Sequence, residues 1–288
     1  MVLQTEFAQI KNNHLYIDDV DALDLVKQYG TPLYVMSEGH IRHQLNTLKT
    51  KMLEKYENTL PLFASKSFSC LAIYKIAKEY GIGIDCVSAG EISIALKAGF
   101  DPKKIYFHGN NKLPSEIEYA LSHGVVNLVI DNFYEIELVQ EIAKKLDIVV
   151  NGVIRITPGV YAGGHDYIRV GAKDTKFGFS SHDNTYLKAI KKVIDASNIN
   201  FDGIHCHVGS QIEDIQAYIL AMNKFVDIAY EIYDIFGIVI NKLNAGGGFG
   251  ICYTKADKPL EFELVVDTIM DIITKGFEAR NLKRPMVL

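Results

Sequence analysis

Short apolar runs alternate with amphipathic segments along the chain from Leu60 onward. The runs begin near residues 60, 82, 104, 127 and 150, so each unit takes 22 or 23 residues. Such a unit holds one strand, one helix and two short loops, which predicts successive βα units in a parallel sheet. The predicted strands are residues 60–66, 82–87, 104–108, 127–131, 149–157, 201–208, 239–244 and 284–288.

Amphipathic segments between the runs predict the intervening helices, most clearly at residues 71–80, 91–98, 115–123 and 133–146. Glycines that follow helical runs mark their ends, because positive φ closes a last turn at little cost; these are Gly81, Gly99, Gly124 and Gly237. Eight strands with such helices predict a (β/α)8 barrel of the TIM type, which typically needs about 250 residues. An open doubly wound sheet is the alternative. Residues 12–19 resemble an edge strand that precedes the repeat.

Composition and charge exclude several classes of protein. The 288 residues are 48% apolar with a net charge of -5, so the basic excess of a nucleic-acid binder is missing and a small-molecule partner is favoured. Apolar runs such as residues 124–130 are far shorter than the roughly 20 residues of a membrane span. Residues 1–13 lack a signal core, which favours a cytoplasmic location. The 4 cysteines form no CxxC pair, which favours reduced packing residues.

Polar residues lie at the predicted carboxyl ends of the strands, where barrels of this kind place their functional groups. We expect these groups to face one opening. They are Lys66, Asp85, Ser88, His108, Asn110, Asp131, Arg155, Thr157, His207 and Ser210, together with Gly246, Gly247 and Gly248 after the seventh strand.

Lys66 lies in the apolar context Leu-Pro-Leu-Phe-Ala-Ser-Lys-Ser-Phe, where a solvated ammonium is out of place. Partial removal from water favours a neutral amine, which can form a Schiff base with a carbonyl. A lysine that extends from a strand end into solvent is the alternative. The place of Lys66 at the predicted opening favours its role as a covalent anchor for a carbonyl compound.

The segment Asn244-Ala-Gly-Gly-Gly-Phe-Gly250 predicts an anion site, because three consecutive glycines leave backbone N–H groups unobstructed. Phosphate sites in such barrels commonly use the loops after strands seven and eight. A tight turn between strand and helix is the alternative.

His205-Cys-His207 places two imidazoles on one face of a strand, because side chains alternate along it. Such a pair can bind a metal, or a neutral ring can lie flat against a cofactor. A hydrogen-bonded core histidine is the third possibility. No surrounding residues have compelling metal spacing, so we predict no metal site.

Residues 158–179 interrupt the repeat with several glycines and a set of aromatic and basic residues. The set consists of Tyr161, His165, Arg169, Lys173 and Lys176. Long loops inside compact domains are usually lids or binding loops. A solvated basic loop is the alternative.

The motifs resemble those of the fold-type III pyridoxal-phosphate-dependent decarboxylases over nearly the whole chain. In order they are Pro32-Leu-Tyr-Val35, Phe63-Ala-Ser-Lys66, Asp85-Cys-Val-Ser-Ala-Gly-Glu91, His108-Gly-Asn-Asn-Lys112, His207-Val-Gly-Ser-Gln211 and Gly246-Gly-Gly-Phe-Gly250. A second set resembles the branch of the family that acts on diaminopimelate. It consists of His165-Asp-Tyr-Ile168, Gly171, Lys176-Phe-Gly178 and Gln211.

This resemblance implies pyridoxal 5′-phosphate as the cofactor. It implies decarboxylation of meso-2,6-diaminopimelate to L-lysine and carbon dioxide, the last step of lysine biosynthesis, with an amino acid as the small-molecule partner. Lys66 would hold the cofactor as a Schiff base, His207 would stack on its ring, and Asp85 and Arg155 would line the pocket. The implied phosphate and substrate-loop residues are Ser210, Gly246, Gly247 and Gly248 for the phosphate, and His165 and Lys176 for the loop.

The resemblance also implies a domain organisation. Residues 1–35 would associate with a C-terminal β domain, and residues 36–288 would form the cofactor-binding barrel. After Arg284-Pro-Met-Val-Leu288 the family continues with a Glu-Pro-Gly-Arg motif and a β-rich domain that supplies Cys-Glu and Tyr site residues. We therefore expect the 288 residues to be inactive alone and the full-length enzyme to be a homodimer.

Three other functions remain open. The first is decarboxylation of another basic amino acid or polyamine precursor. The second is a metal-dependent barrel hydrolase that uses His205 and His207, which predicts bound zinc or manganese and no chromophore. The third is a non-catalytic pyridoxal-phosphate carrier, which predicts the chromophore without turnover.

Overall fold

The computed structural model describes residues 6–159, 176–254 and 256–288, and its strands form two sheets. The smaller sheet is antiparallel and consists of β1 (Ala8–Lys11), β2 (His14–Ile17) and β3 (Val20–Asp21). The larger sheet is parallel and consists of β4 (Leu62–Ala64), β5 (Gly83–Cys86), β6 (Ile105–Phe107), β7 (Asn127–Ile130), β8 (Val150–Thr157), β9 (Phe179–Ser180), β10 (Ile199–His205), β11 (Lys242–Asn244) and β12 (Met286–Val287).

The helices that the structure describes include two that lie between β3 and β4 and seven that connect strands of the parallel sheet. They are α1 (Ala22–Tyr29), α2 (Glu38–Leu48), α3 (Leu71–Glu79), α4 (Ala89–Ala98), α5 (Pro114–Ser122), α6 (Phe133–Leu146), α7 (Thr185–Ile194), α8 (Ile215–Phe236) and α9 (Phe262–Ala279). Gly99 and Gly237 end α4 and α8 in the left-handed conformation, as predicted. None of the helices that the structure describes combines the length and apolar character needed to span a membrane.

The parallel sheet closes on itself, which confirms the predicted (β/α)8 barrel. The eight main strands follow chain order from β4 to β12, and β9 is an extra strand paired with the end of β8. An isolated parallel bridge joins Thr59, ahead of β4, to Val287 in β12. Leu60 N donates to Val287 O (3.0 Å) and Val287 N donates to Asn58 O (3.1 Å). The first and last strands therefore meet, and the carboxyl ends of the strands surround one opening.

Burial explains why the strands appear as nearly continuous apolar runs. Helices cover the outer face of a parallel barrel and side chains fill its interior, so both faces of each strand are buried. All residues of β6 and β7 are buried, and the buried residues of α8 and α9 belong to the same hydrophobic core. The apolar runs of the sequence therefore correspond to strands whose side chains are buried on both the inner and the outer face of the barrel.

The small N-terminal sheet corrects the prediction of one edge strand over residues 12–19. Asn12 and Asn13, and then Asp18 and Asp19, have positive φ, so the chain reverses twice and only β2 is extended in this range. Asp18 joins this sheet to the first turn of α2, because its carboxylate accepts from Ser37 Oγ (2.8 Å) and from the backbone N–H of residue 39 (3.0 Å).

Candidate active site

Lys66 lies at the opening of the barrel, just past the end of β4. The strand ends at Ala64, and a 3₁₀ turn over Ser65–Ser67 is closed by a hydrogen bond from Phe68 N to Ser65 O (3.1 Å). The expectation that the strand continues to Lys66 and partly desolvates its ammonium is therefore wrong. The turn places the side chain outside the apolar strand and leaves it exposed. An exposed amine at this opening is accessible to a carbonyl compound.

Glu91 fixes the turn that carries Lys66. Its carboxylate accepts hydrogen bonds from the Ser65 hydroxyl, from Val87 N (2.7 Å) and from Ser69 Oγ (3.3 Å). The loop after β4 is thereby joined to the loop after β5. Glu91 was not predicted as a site residue, although the spacing Ser88 to Glu91 at a helix start is the signal of a capping pattern.

Asp85 lies beside this turn because β4 and β5 pair with Ala64 opposite Asp85. Its Oδ1 atom is buried and has no hydrogen-bond partner among the described residues. Its Oδ2 atom is 3.8 Å from His108 Nε2, which is buried and unpartnered as well. Burial raises the pKa of Asp85 to about 7, although the Lys66 ammonium opposes this shift. Two buried polar atoms therefore face the opening with unused hydrogen-bonding capacity.

Three histidines surround the bottom of the opening. β10 ends at His205, whose ring meets the ring of His108 edge to face with centroids 4.9 Å apart, and His207 follows two residues later. Burial lowers the pKa of His108 and of His205 well below the usual range. Burial, with Lys66 and Arg155 nearby, lowers the pKa of His207 to about 4. All three rings are neutral near pH 7, and a neutral ring can lie against an aromatic cofactor.

The glycine segment after β11 forms an open cradle. A Cβ atom on Gly246 would lie 2.3 Å from Cys206 O, and one on Gly248 would lie 2.0 Å from Gly209 O. These two glycines therefore allow close packing against the loop after β10, which also carries the exposed Ser210. A Cβ atom on Gly247 would have no other atom within 4 Å, so this residue faces open space.

Arg155 extends from β8 into the same opening. Its Nη1 atom donates to Asp131 Oδ1 (3.4 Å), and its guanidinium carbon is 4.6 Å from the centroid of the Phe177 ring. Lys176 is exposed beside that ring. His165, the other residue of the predicted substrate loop, lies outside the described residues.

The hydrolase alternative receives no support from this geometry. Within residues 6–159, 176–254 and 256–288, no group of three or more His, Cys, Asp or Glu residues is arranged to hold a metal ion. His205 is buried against His108, and His207 lies beyond the end of the strand. The predicted pair of ligands on one strand face therefore has no additional ligand among these residues.

Pyridoxal phosphate fits the groups at the opening. Lys66 offers an exposed amine, Gly247 leaves room for a phosphate over the backbone, and His207 offers a neutral ring. The unpartnered atoms Asp85 Oδ1 and His205 Nδ1 are suited to a polar ligand, because a buried polar atom without a hydrogen bond destabilises the fold.

A barrel with such a lysine and such a cradle defines a class of pyridoxal-dependent enzymes. The family model described as "Pyridoxal-dependent decarboxylase, pyridoxal binding domain" matches residues 38–287. The chain belongs to this family, and its cofactor is pyridoxal phosphate.

Diaminopimelate decarboxylases are prominent among its relatives. The chain is 41% identical to the diaminopimelate decarboxylase of Bacillus subtilis (strain 168) over 276 residues, which cover 96% of this chain and 63% of that protein. A crystal structure of diaminopimelate decarboxylase from M. jannaschii in complex with L-lysine superposes with a TM-score of 0.90 at 33% identity and covers 99% of this chain and 66% of that one. The chain therefore spans less than two thirds of the length of these relatives.

Proposed function

We propose that the chain is the cofactor-binding barrel of a decarboxylase that converts meso-2,6-diaminopimelate to L-lysine and carbon dioxide. One observation carries the class of chemistry: the exposed amine of Lys66 and the neutral ring of His207 share one opening, where burial, together with the nearby Lys66 charge, lowers the pKa of His207 to about 4. The identity of 41% to a diaminopimelate decarboxylase supports the choice of substrate.

Pyridoxal phosphate, when bound, supplies an electron-withdrawing ring that accepts the electron pair released as the substrate carboxylate departs. In our proposal Lys66 would hold the cofactor covalently through Nζ and would yield this position to the amine of the substrate. The His207 ring would pack against the cofactor ring, and its pKa, which burial lowers to about 4, would keep it uncharged there. Asp85 and Arg155 would line the cofactor pocket.

The phosphate group is assigned to Ser210 and to the backbone amides of Gly246, Gly247 and Gly248. The open space above Gly247 supports this assignment, because a phosphate can approach the backbone only where no side chain blocks it. The substrate loop is assigned His165 and Lys176. The exposed position of Lys176 beside the Arg155 and Phe177 contact supports its part in that assignment.

We also propose that residues 1–35 associate with a β-rich domain of the whole enzyme. No residue of α1 is buried, and apolar side chains around it are exposed, with Leu23 at 50%, Tyr29 at 64%, Tyr34 at 98% and Met36 at 53%. An apolar surface of this kind is suited to a protein contact. We infer that the whole enzyme is a cytoplasmic homodimer, and sedimentation of the full-length enzyme tests its dimeric state.

A chimera tests the activity. Residues 1–288 would replace the matching region of the B. subtilis enzyme, and carbon dioxide release would be measured with meso-diaminopimelate, L-lysine, L-ornithine and L-arginine. We expect turnover of diaminopimelate alone, which is lost in Lys66→Ala and kept in Lys75→Ala, an exposed lysine on α3. Preference for another substrate would favour the related decarboxylases. Cofactor binding by a folded chimera without any turnover would favour a carrier.

A further inference from the structure

Asp131 is a buried acidic residue at the opening that the proposed cofactor contacts do not use. Its side chain is 3% exposed and follows directly after β7. Strands β7 and β8 pair with Ile130 opposite Ile154, so the next residues, Asp131 and Arg155, are neighbours. The carboxylate of Asp131 accepts from Arg155 Nη1 (3.4 Å) and from the backbone N–H of Gly178.

Arg155 is held from two sides. Asp131 binds its edge, and the ring of Phe177 lies against its face at 4.6 Å from the guanidinium carbon. Arginine is well suited to such a place, because its planar group can donate hydrogen bonds at the edge and stack on a ring at the face. Phe177 is fixed in turn, since its carbonyl accepts a hydrogen bond from the Thr157 hydroxyl.

The position of Asp131 is itself fixed by a buried ion pair. Its backbone N–H donates to Glu135 Oε2 (3.1 Å), and Glu135 Oε1 accepts from Lys112 Nζ (2.5 Å). The side chains of Lys112 and Glu135 are 0% and 3% exposed. The Asp131 carboxylate, fixed in this way, therefore contacts both Arg155 and the residues that lead into β9.

We propose that Asp131 is a positioning residue that sets the orientation of Arg155 in the cofactor pocket and fixes Phe177 and Gly178 to the barrel. The part that concerns the cofactor rests on the proposed function. Asp85 also attracts Arg155 electrostatically. Without the charge of Asp131 the guanidinium is drawn toward Asp85, and Phe177 loses the cation that Asp131 holds against its ring.

The experiment compares Asp131→Asn, Arg155→Lys and the double variant. Asparagine keeps the size of the side chain but removes the charge that holds the guanidinium. We expect Asp131→Asn to weaken binding of pyridoxal phosphate about tenfold in the native background, as loss of a charged hydrogen bond implies. In the Arg155→Lys background the same change should have less than about a twofold effect, because Asp131 acts through Arg155.

The matched control is Asp202→Asn. Asp202 is also a buried aspartate paired with a cation, Lys242 Nζ at 2.7 Å, but it lies near the start of the β11 pairing rather than at the opening. This variant should leave cofactor affinity unchanged. An equal effect of Asp131→Asn in both backgrounds, or an equal loss in Asp202→Asn, would overturn the positioning role.

Amide hydrogen exchange of the cofactor-free chain tests the second contact independently of the proposed function. We expect Asp131→Asn to raise exchange over residues 177–179 at least about threefold, while Asp202→Asn leaves it unchanged. If Asp131→Asn does not fold, Arg155→Lys takes its place, because lysine loses the stacking on Phe177 and should raise exchange in the same residues. Unchanged exchange in the folded variant would overturn the proposal, whatever the result of the cofactor assays.

Discussion

The imidazole rings of His108 and His205 meet edge to face, with centroids 4.9 Å apart and planes inclined by 86°. Each ring is buried, one with Nε2 and the other with Nδ1 lacking a hydrogen-bond partner among the described residues. Protonation of either ring would place an additional charge beside Lys66 and Arg155. The folded state therefore depends on these histidines remaining neutral.

Acid should destabilise the chain because of these histidines and His207. Histidines of the unfolded chain bind protons near their ordinary pKa of 6.5, whereas burial lowers the pKa of folded His207 to about 4. Unfolding takes up protons between these values, so stability present above pH 6.5 is lost as the pH falls toward 4. Asp85 acts in the opposite direction, because burial raises its folded pKa from 3.8 to about 7. Burial also raises the pKa of Asp131 and of Glu135, which therefore act in the same direction as Asp85, so the contribution of His207 is isolated by replacing that residue alone.

Urea denaturation of the native chain and of His207→Gln between pH 7 and pH 4 measures this effect. The variant should lose less stability on acidification, by an amount on the order of 3 kcal/mol for a single group with this shift. His123→Gln, at an exposed histidine, is the control and should follow the native curve. Parallel curves for the native chain and His207→Gln would contradict the expectation.

Lys66 should be the residue to which the cofactor attaches. Its amine is exposed at the opening, so borohydride reduction of the chain mixed with pyridoxal phosphate should leave a stable adduct there. Peptide mapping by mass spectrometry locates the adduct. Lys66→Ala should lose it and the visible absorbance, whereas Lys75→Ala should keep both. An adduct on a different lysine, with Lys66 unmodified, would show that the assignment is wrong.

Neighbouring glycines should respond differently to substitution. Gly247→Val should weaken binding of pyridoxal phosphate with little change in the unfolding midpoint, because a side chain there meets no protein atom but occupies the space above the backbone. Gly248→Ala should instead destabilise the fold, because its Cβ would lie 2.0 Å from Gly209 O at a φ of +92°.

Calorimetric titration and thermal denaturation of both variants separate the two effects. Pyridoxal without phosphate is the matched ligand, and its binding should be nearly the same for Gly247→Val and the native chain. Equal loss of both ligands would place the phosphate elsewhere.

Replacing only one partner of the Lys112–Glu135 ion pair should strongly destabilise the fold. Lys112 Nζ donates to Glu135 Oε1 (2.5 Å), Val129 O (2.7 Å) and Gly109 O (2.8 Å). Lys112→Met leaves a buried carboxylate uncompensated, which typically costs about 3–5 kcal/mol, whereas replacing both partners by apolar residues costs less.

Urea denaturation of Lys112→Met, of Lys112→Met with Glu135→Met, and of Lys145→Met measures this difference. Lys145 forms an exposed ion pair with Glu118, so its loss should leave the unfolding midpoint nearly unchanged. A double variant less stable than Lys112→Met would argue against an uncompensated charge as the cause.

The barrel could be predicted from the sequence because both faces of its strands are buried. Each apolar run overlaps an observed strand, and Lys66, Asp85 and Asp131 lie at or just past the carboxyl ends of β4, β5 and β7. The N-terminal sheet was harder to predict, because its reversals at Asn12 and Asp18 depend on positive φ in residues other than glycine. The exposure of Lys66 could not be predicted for a related reason, since a 3₁₀ turn follows a strand of only three residues.

Contacts between distant residues could not be predicted from local patterns. Arg155 meets Asp131 because of the register between β7 and β8, and Glu91 reaches Ser65 across the loops of two strands. Local sequence shows that each of these residues lies near a strand or helix end, but it does not show which partner the closed barrel brings to it.

The bridge between Thr59 and Val287 has a consequence for the order in which the protein is made. Residues 58–60 emerge from the ribosome before almost all of the barrel. Their hydrogen-bonding partner, Val287, lies in β12, which follows all the other strands of the barrel. Until Val287 has been synthesised, the edge beside the lysine strand is unpaired and open to contact with other strands. The cofactor pocket can therefore form only after Val287 has been synthesised, and pyridoxal phosphate cannot stabilise a shorter nascent chain by binding to a completed site.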